Sequence, residues 1–158
     1  MPLRFTVYFN SLIAEINKKT MSYKYLEHST DAFIEVKAKT LEEAFSVAGK
    51  SVVETIIDLK NIQEIEEKNI KVKGRNLLNL LYNWLEEIVT ITITDGFAIR
   101  NFSVNIKKND EYEIISKIFG EKLDLKKHNF KVEIKAPTFY DMVIENKEQV
   151  YMKLLLDL

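Results

Sequence analysis

Asp157 stands next to last in a chain of 158 residues, at the end of the run Tyr151, Met152, Leu154, Leu155 and Leu156. That run reads as a strand heading into a core, so a carboxylate closes an apolar element, with the carboxylate of Leu158 beside it. Burying an ionised carboxylate is costly unless a cation pairs with it. Two outcomes are open: the end frays into water and Asp157 is an ordinary surface charge, or a cation meets it. A second acid, Asp31, directly precedes another apolar strand pattern. If the two strand ends are neighbours, Asp31, Asp157 and the terminal carboxylate or main-chain oxygen of Leu158 form an all-oxygen cluster. Hard cations such as Ca²⁺ or Mg²⁺ take such donors, and like charges brought together need a cation or a proton between them. Spacing alone favours chance placement of two surface aspartates.

Other chemistries find less support. The chain has no cysteine, which removes disulfides, thiolate nucleophiles and zinc–thiolate sites and makes a reducing cytoplasm the expected compartment. His28 and His128 are the only histidines, too few nitrogen ligands for an ordinary zinc enzyme, and each alone reads as a surface or internally satisfied side chain. Ser29-Thr30-Asp31 sets hydroxyls beside a carboxylate, a pattern more typical of a turn or strand edge. Glycine-rich phosphate loops, nucleophile elbows and paired His-Glu motifs are absent from the sequence. A formal net charge of -1 gives no basic footprint for gripping a phosphate backbone. The apolar stretch near the N-terminus is interrupted by Asn10, Ser11 and Glu15, too short and polar to span a bilayer, and no signal-peptide cleavage pattern follows it.

The elements that would position these acids can be read from periodicity. With 46% hydrophobic and 30% charged residues the chain has the balance of a globule able to bury a core. Ile34, Val36 and Ala38 alternate with Glu35 and Lys37, a period-two strand. Thr40-Leu41-Glu42-Glu43 is a capping box, followed by Leu41, Ala44, Phe45, Ala48, Val52 and Ile56 on one helical face. A strand is expected over 61–74, ending at Gly74. A second helix follows, with Leu77, Leu78, Leu81, Trp84, Leu85 and Ile88 as its apolar stripe, where Trp84 is a packing residue. The β-branched run from Thr90, the Asp95-Gly96 pair and the alternating Phe102, Val104 and Ile106 predict strand, tight turn, strand. Residues 112–120 read as strand. Phe130, Val132 and Ile134 predict another strand with those three side chains inward, and the closing segment completes the set. The expected class is α+β: a two-layer sandwich, a mixed β-sheet of about six strands with two main helices on one face.

Several segments, taken in order, resemble the archease family. His28-Ser29-Thr30-Asp31, then Thr40 through Phe45, are similar to the family's His-Thr-Ala-Asp strand and Thr-Leu-Glu-Glu-Ala-Phe helix. Leu80, Leu81, Trp84, Leu85 and Glu87 resemble its Leu-Leu…Trp-Leu-x-Glu helix. Gly120, Glu121 and His128 resemble a Gly-Glu…His segment, and Lys135, Ala136, Thr138 and Phe139 a Lys-Ala-x-Thr-aromatic segment. The chain closes on Asp157-Leu158, as the family closes on Asp and an aliphatic residue. The resemblance spans residues 22–158, one archease-like domain over 21–158, with residues 1–20 as an extension upstream of a natural start at Met21. Departures are Ser29-Thr30 for Thr-Ala, Asn76 and Leu78 where the family usually has acids, and Tyr140 where a histidine is common.

The resemblance implies a protein cofactor, not a free-standing enzyme: an activator of an RtcB-type tRNA-splicing RNA ligase, promoting its guanylylation and multiple turnover. It implies a divalent-metal site at Asp31, Asp157 and Leu158, holding Ca²⁺ or another divalent cation such as Mg²⁺ or Mn²⁺. It further suggests Lys135, and more weakly Asp58, as residues taking part in activation; from the residues alone, a polar strand-face lysine and a helix-end aspartate explain both positions. The expected partner is the ligase, with tRNA met only through it, and no membrane. Two other classes stay open: a chaperone-like modulator of a tRNA-modifying methyltransferase, and a small metal-dependent hydrolase, against which the lack of a general base speaks.

Overall fold

The protein is described here from a computed structural model covering residues 21–26 and 31–158. His28, Ser29, Thr30 and the expected extension over residues 1–20 lie outside the described residues. Among the described residues, seven strands and two helices follow in the order β1 (Ser22–Leu26), β2 (Asp31–Ala38), α1 (Leu41–Ile56), β3 (Glu66–Gly74), α2 (Leu77–Val89), β4 (Phe97–Lys108), β5 (Tyr112–Lys122), β6 (Ala136–Asn146) and β7 (Val150–Asp157). A short 3₁₀ turn at Leu59–Asn61 follows α1, and a π-helical turn at Thr90–Thr94 extends α2. The class is α+β, as expected. The strands form two sheets, ordered β1-β2-β7-β6 and β3-β5-β4, in place of a single mixed sheet. Every pairing among the described residues is antiparallel.

Helix α1 forms where its cap signals place it. The Thr40 hydroxyl accepts from the Glu43 amide at 3.2 Å, and the Glu43 carboxylate reaches back to the Lys39 amide at 3.3 Å, one residue earlier than a standard capping box. Its stripe Ala44, Phe45, Ala48, Val52 and Ile56 is fully buried. Helix α2 is capped by Asn76, whose side chain accepts from the Asn79 amide at 2.8 Å. Trp84 is fully buried and donates its indole N–H to the Phe45 carbonyl at 2.8 Å, so it packs the two helices together. Both helices contact strands of both sheets.

The β-branched run Thr90–Thr94 is not a strand. It continues α2 with a wider turn, the Asp95 amide bonding the Thr90 carbonyl at 3.0 Å across five residues. Burial of Ile91 and Thr92 under the fold outweighs the β preference of the sequence. Strand β4 then begins only at Phe97. Residues 130–135 are likewise not a laddered strand: the Lys131 amide bonds the Ile56 carbonyl at 2.8 Å, the Lys135 amide bonds the Asp157 carbonyl at 2.8 Å, and the segment between them straps one end of the molecule. Of the three side chains expected inward, Ile134 is buried, Val132 is half-buried and Phe130 is exposed.

Strand β7 is central in its sheet, between β2 and β6. Val150, Met152, Leu154 and Leu156 are fully buried, as are Ile34, Val36 and Ala38 opposite them. The alternate residues of β2 and β7 therefore share the outer face, since strand side chains alternate sides. Asp31 and Asp157 belong to that outer set.

Candidate metal site

In the β2–β7 ladder Asp31 is the register partner of Asp157. On its other side Asp157 pairs with Ala136, and its carbonyl accepts the Lys135 amide at 2.8 Å. Residues directly opposite in an antiparallel pair carry Cβ atoms about 4.5–5.5 Å apart on one face. Two acids from the beginning and end of the chain thus sit side by side at one sheet end, Asp31 half-buried and Asp157 exposed, with Leu158 half-buried beyond them. The row behind, Ala32, Leu156 and Pro137, is buried, which fixes this register: a one-residue slip would drive the aspartates into the core.

This donor set suits a hard cation in kind: two carboxylates, supplemented by main-chain oxygens such as those of Leu158. Among the described residues no three His, Cys, Asp or Glu side chains gather as a metal cluster. Among the described residues, a cation held here would find the two aspartates and main-chain oxygens.

Lys135 reaches the same place through its backbone; its side chain is exposed on the strap. Asp58 is held differently. It follows α1, its amide donates to the His128 carbonyl at 2.8 Å, and its carboxylate takes the Lys131 ammonium at 3.2 Å and the Asn129 amide at 2.9 Å. Burial alone would raise this carboxyl; the Asn129 hydrogen bond and the Lys131 ammonium outweigh it and hold it below the ordinary aspartate range. Lys131 also caps α1, donating to the Glu54 carbonyl at 2.5 Å. Asp58 is thus engaged in clamping the strap to the end of α1.

A second acidic centre is one that residue chemistry alone did not single out. Glu121, nearly buried, receives Lys127 at 2.8 Å, the His128 ring at 2.8 Å and the Gln63 amide at 3.1 Å. His128 is fully buried, and its Nδ1 accepts the Asp124 amide at 3.0 Å, so Nε2 carries the proton and donates to Glu121. Hydrogen bonds from Lys127 and His128 hold the Glu121 carboxyl down at about 2. The Gly-Glu…His spacing was the available signal. In the fold it marks an internally satisfied histidine that ties the loop after β5 to the body.

The whole described domain carries a family signature. The chain matches the Archease protein family over residues 23–158. It is 37% identical to the protein archease of Pyrococcus abyssi over 124 residues, covering 78% of this chain and 87% of that one. It is 34% identical to the protein archease of Sulfurisphaera tokodaii over 131 residues, covering 82% of this chain and 93% of that one. The solution structure of Methanobacterium thermoautotrophicum protein 1598 superposes with a TM-score of 0.74 at 27% identity, covering 86% of this chain and 98% of that one. The chain belongs to the archease family.

Proposed function

We propose that this archease-family protein is an activator of an RtcB-type tRNA-splicing RNA ligase, promoting ligase guanylylation and multiple turnover as a protein cofactor and not as a free-standing enzyme. The observation that carries the reading is the in-register pairing of Asp31 with Asp157 on an exposed sheet end of an archease-family chain. Asp31, Asp157 and an oxygen of Leu158 would hold a divalent cation there, Ca²⁺ or alternatively Mg²⁺ or Mn²⁺. When bound, the ion supplies positive charge that neutralises the two carboxylates and opens coordination positions toward a docked partner.

The chain's own contribution is positional. The buried row behind the acids fixes their spacing, and the Lys135–Asp157 backbone bond fixes the strap beside them. The Lys135 side chain, exposed next to this edge, is placed to meet the partner, whereas the Asp58 carboxylate acts through Lys131 by holding the strap. The net charge of -1 suits a protein-docking helper, with tRNA met only through the ligase. No helix among the described residues is long and apolar enough to cross a membrane.

The test is a multiple-turnover ligation assay with cleaved tRNA, an RtcB-type ligase and substoichiometric amounts of this protein. Turnover should rise with the parent chain, and Asp31→Ala and Asp157→Asn should each abolish the gain. Stimulation unchanged in both variants would remove the cation site from the mechanism. No stimulation by the parent chain would remove the ligase.

A further inference from the structure

Strand β6 leaves its ladder for four residues and then rejoins it. Thr138 pairs with Leu155 and Val143 with Lys153, so residues 139–142 stand opposite Leu154 alone. β6 is an edge strand of its sheet, and a bulge there re-aims the side chains it carries. What this one turns outward is aromatic. Phe139 is 48% exposed, and Tyr140, at 69%, is the most exposed large apolar side chain among the described residues. Burial of such rings is favourable, yet the fold holds both of them out in water.

Contacts hold the excursion in one shape. The Phe139 ring lies stacked on Tyr82 of α2, with centroids 4.2 Å apart and planes 11° from parallel. The Thr138 hydroxyl accepts the Tyr140 amide at 3.1 Å. Asp141 has a φ of 53°, a left-handed conformation uncommon outside glycine, and Met142 then returns to the interior. Such backbone in a non-glycine residue persists where its surroundings over-determine it, and it recurs at ligand clamps and other functional sites. Rings already fixed in place lose little freedom on binding, and exposed aromatic side chains of this kind dominate the energetics of protein interfaces.

We infer that Phe139 and Tyr140 form a docking knuckle, two aromatic anchors that insert into an apolar pocket of the ligase; the partner's identity rests on the activator reading, whereas the shape of the knuckle does not. Strand register links it to the carboxylate edge. Ala136, three residues before Phe139, is the cross-strand partner of Asp157, and three strand residues span about 10 Å. A standard interface covers about 800 Å² on each partner, so a protein seated over the Asp31–Asp157 pair also covers the knuckle. Charge selects a protein over a nucleic acid. Strand β6 carries two acids, Asp141 and Glu145, and no lysine or arginine. Aromatic platforms for single-stranded RNA lie in positively charged grooves. An acidic rim instead repels phosphates and complements the cations with which an RNA-handling enzyme grips its substrate.

The test is real-time binding of the full chain to an immobilised RtcB-type ligase, with ligation turnover measured on the same samples. Phe139→Ser and Tyr140→Ser should each speed dissociation by about tenfold or more, the loss of one interface anchor. Tyr140→Phe should keep most of the affinity, because the ring remains. Asp141→Asn retains a residue type that tolerates the left-handed backbone; it should slow association at low salt and match the parent at high salt. Thermal melts control for folding, and Tyr140→Ser carries the test even where Phe139→Ser disturbs the stack on Tyr82. A parent that binds and stimulates the ligase, with both serine variants dissociating at its rate, overturns the knuckle and leaves the ligase reading intact. A parent that does not bind the ligase overturns the ligase reading, and the knuckle with it. A single-stranded RNA oligonucleotide held by the parent and released by both serine variants would overturn the protein assignment in favour of base stacking.

Discussion

The β2–β7 ladder treats its acids in two opposite ways. Near its middle, Glu35 lies across from Lys153 and is further met by Lys24 at 3.3 Å, Lys37 at 3.9 Å and the Tyr151 hydroxyl at 2.7 Å. Four residues earlier on the same face, Asp31 lies across from Asp157. Opposite charges directly across a strand pair stabilise it, and like charges destabilise it. The first arrangement is what a sheet surface needs for its own stability. The second sets two like charges directly across from each other at the ladder's end, and the proposed cation site rests on that juxtaposition.

The contrast is sharpest against Glu121, where the fold supplies every partner itself. Glu121→Gln should cause the largest loss of stability, about 3 kcal/mol, because it removes the charge that Lys127 and buried His128 were arranged to meet. For a chain of this size that corresponds to a fall in melting temperature of roughly 6–12 °C. The acid response follows from the same group. Its folded carboxyl sits at about 2, below the unfolded value of about 4.3. Its stabilisation is therefore complete above the unfolded value and is lost as pH falls toward 2. Thermal melts between pH 5 and 2.5 should show a shallower decline for Glu121→Gln than for the parent. Equal slopes would mean that the Glu121 charge is not what the loop depends on.

Much of this contrast was legible in the sequence, and the remainder was hidden for physical reasons. The cap and stripe of α1 are local signals, and α1 forms as they require. The alternation in β2 assigned its faces, and the acids at the strand ends were visible as oddities. That the two strands pair with Asp31 opposite Asp157 is a long-range fact of topology, which local periodicity does not carry. Thr90–Thr94 misled because β-branched residues favour strands, while here the packing of Ile91 and Thr92 keeps them helical. Phe130–Lys135 misled because alternation signals an extended chain, and an extended strap gives the same pattern as a strand. Strand β1, only five residues long, offered too short a pattern.

An intermediate effect should come from the middle of the ladder. Glu35→Gln should cost about 1 kcal/mol, the scale of one cross-strand charge pair together with a weakened hydrogen bond. Chemical denaturation would measure it. Added Ca²⁺ should stabilise this variant as much as the parent, because the carboxylates at the ladder's end are untouched. A Ca²⁺ response that disappears in Glu35→Gln would merge the two regions and break the comparison.

The smallest change in stability, and the most discriminating in sign, is expected at Asp157. Among the described residues its side chain makes no hydrogen bond or ion pair, and its cross-strand neighbour carries the same charge. In chelator, Asp157→Asn should therefore leave stability unchanged or raise it by about 0.5 kcal/mol, the scale of one relieved like-charge contact. With Ca²⁺ present the order should reverse. The parent gains RT ln(1 + [L]/Kd) from an ion that binds only the folded state, and the variant, lacking one carboxylate, gains little. Asp157→Lys extends the argument by giving this row the charge pattern of Glu35 and Lys153: it should be at least as stable as the parent in chelator and indifferent to Ca²⁺. A loss of stability in chelator for both variants would show Asp157 to be a structural residue like Glu35, and the ladder would then have no site at its end.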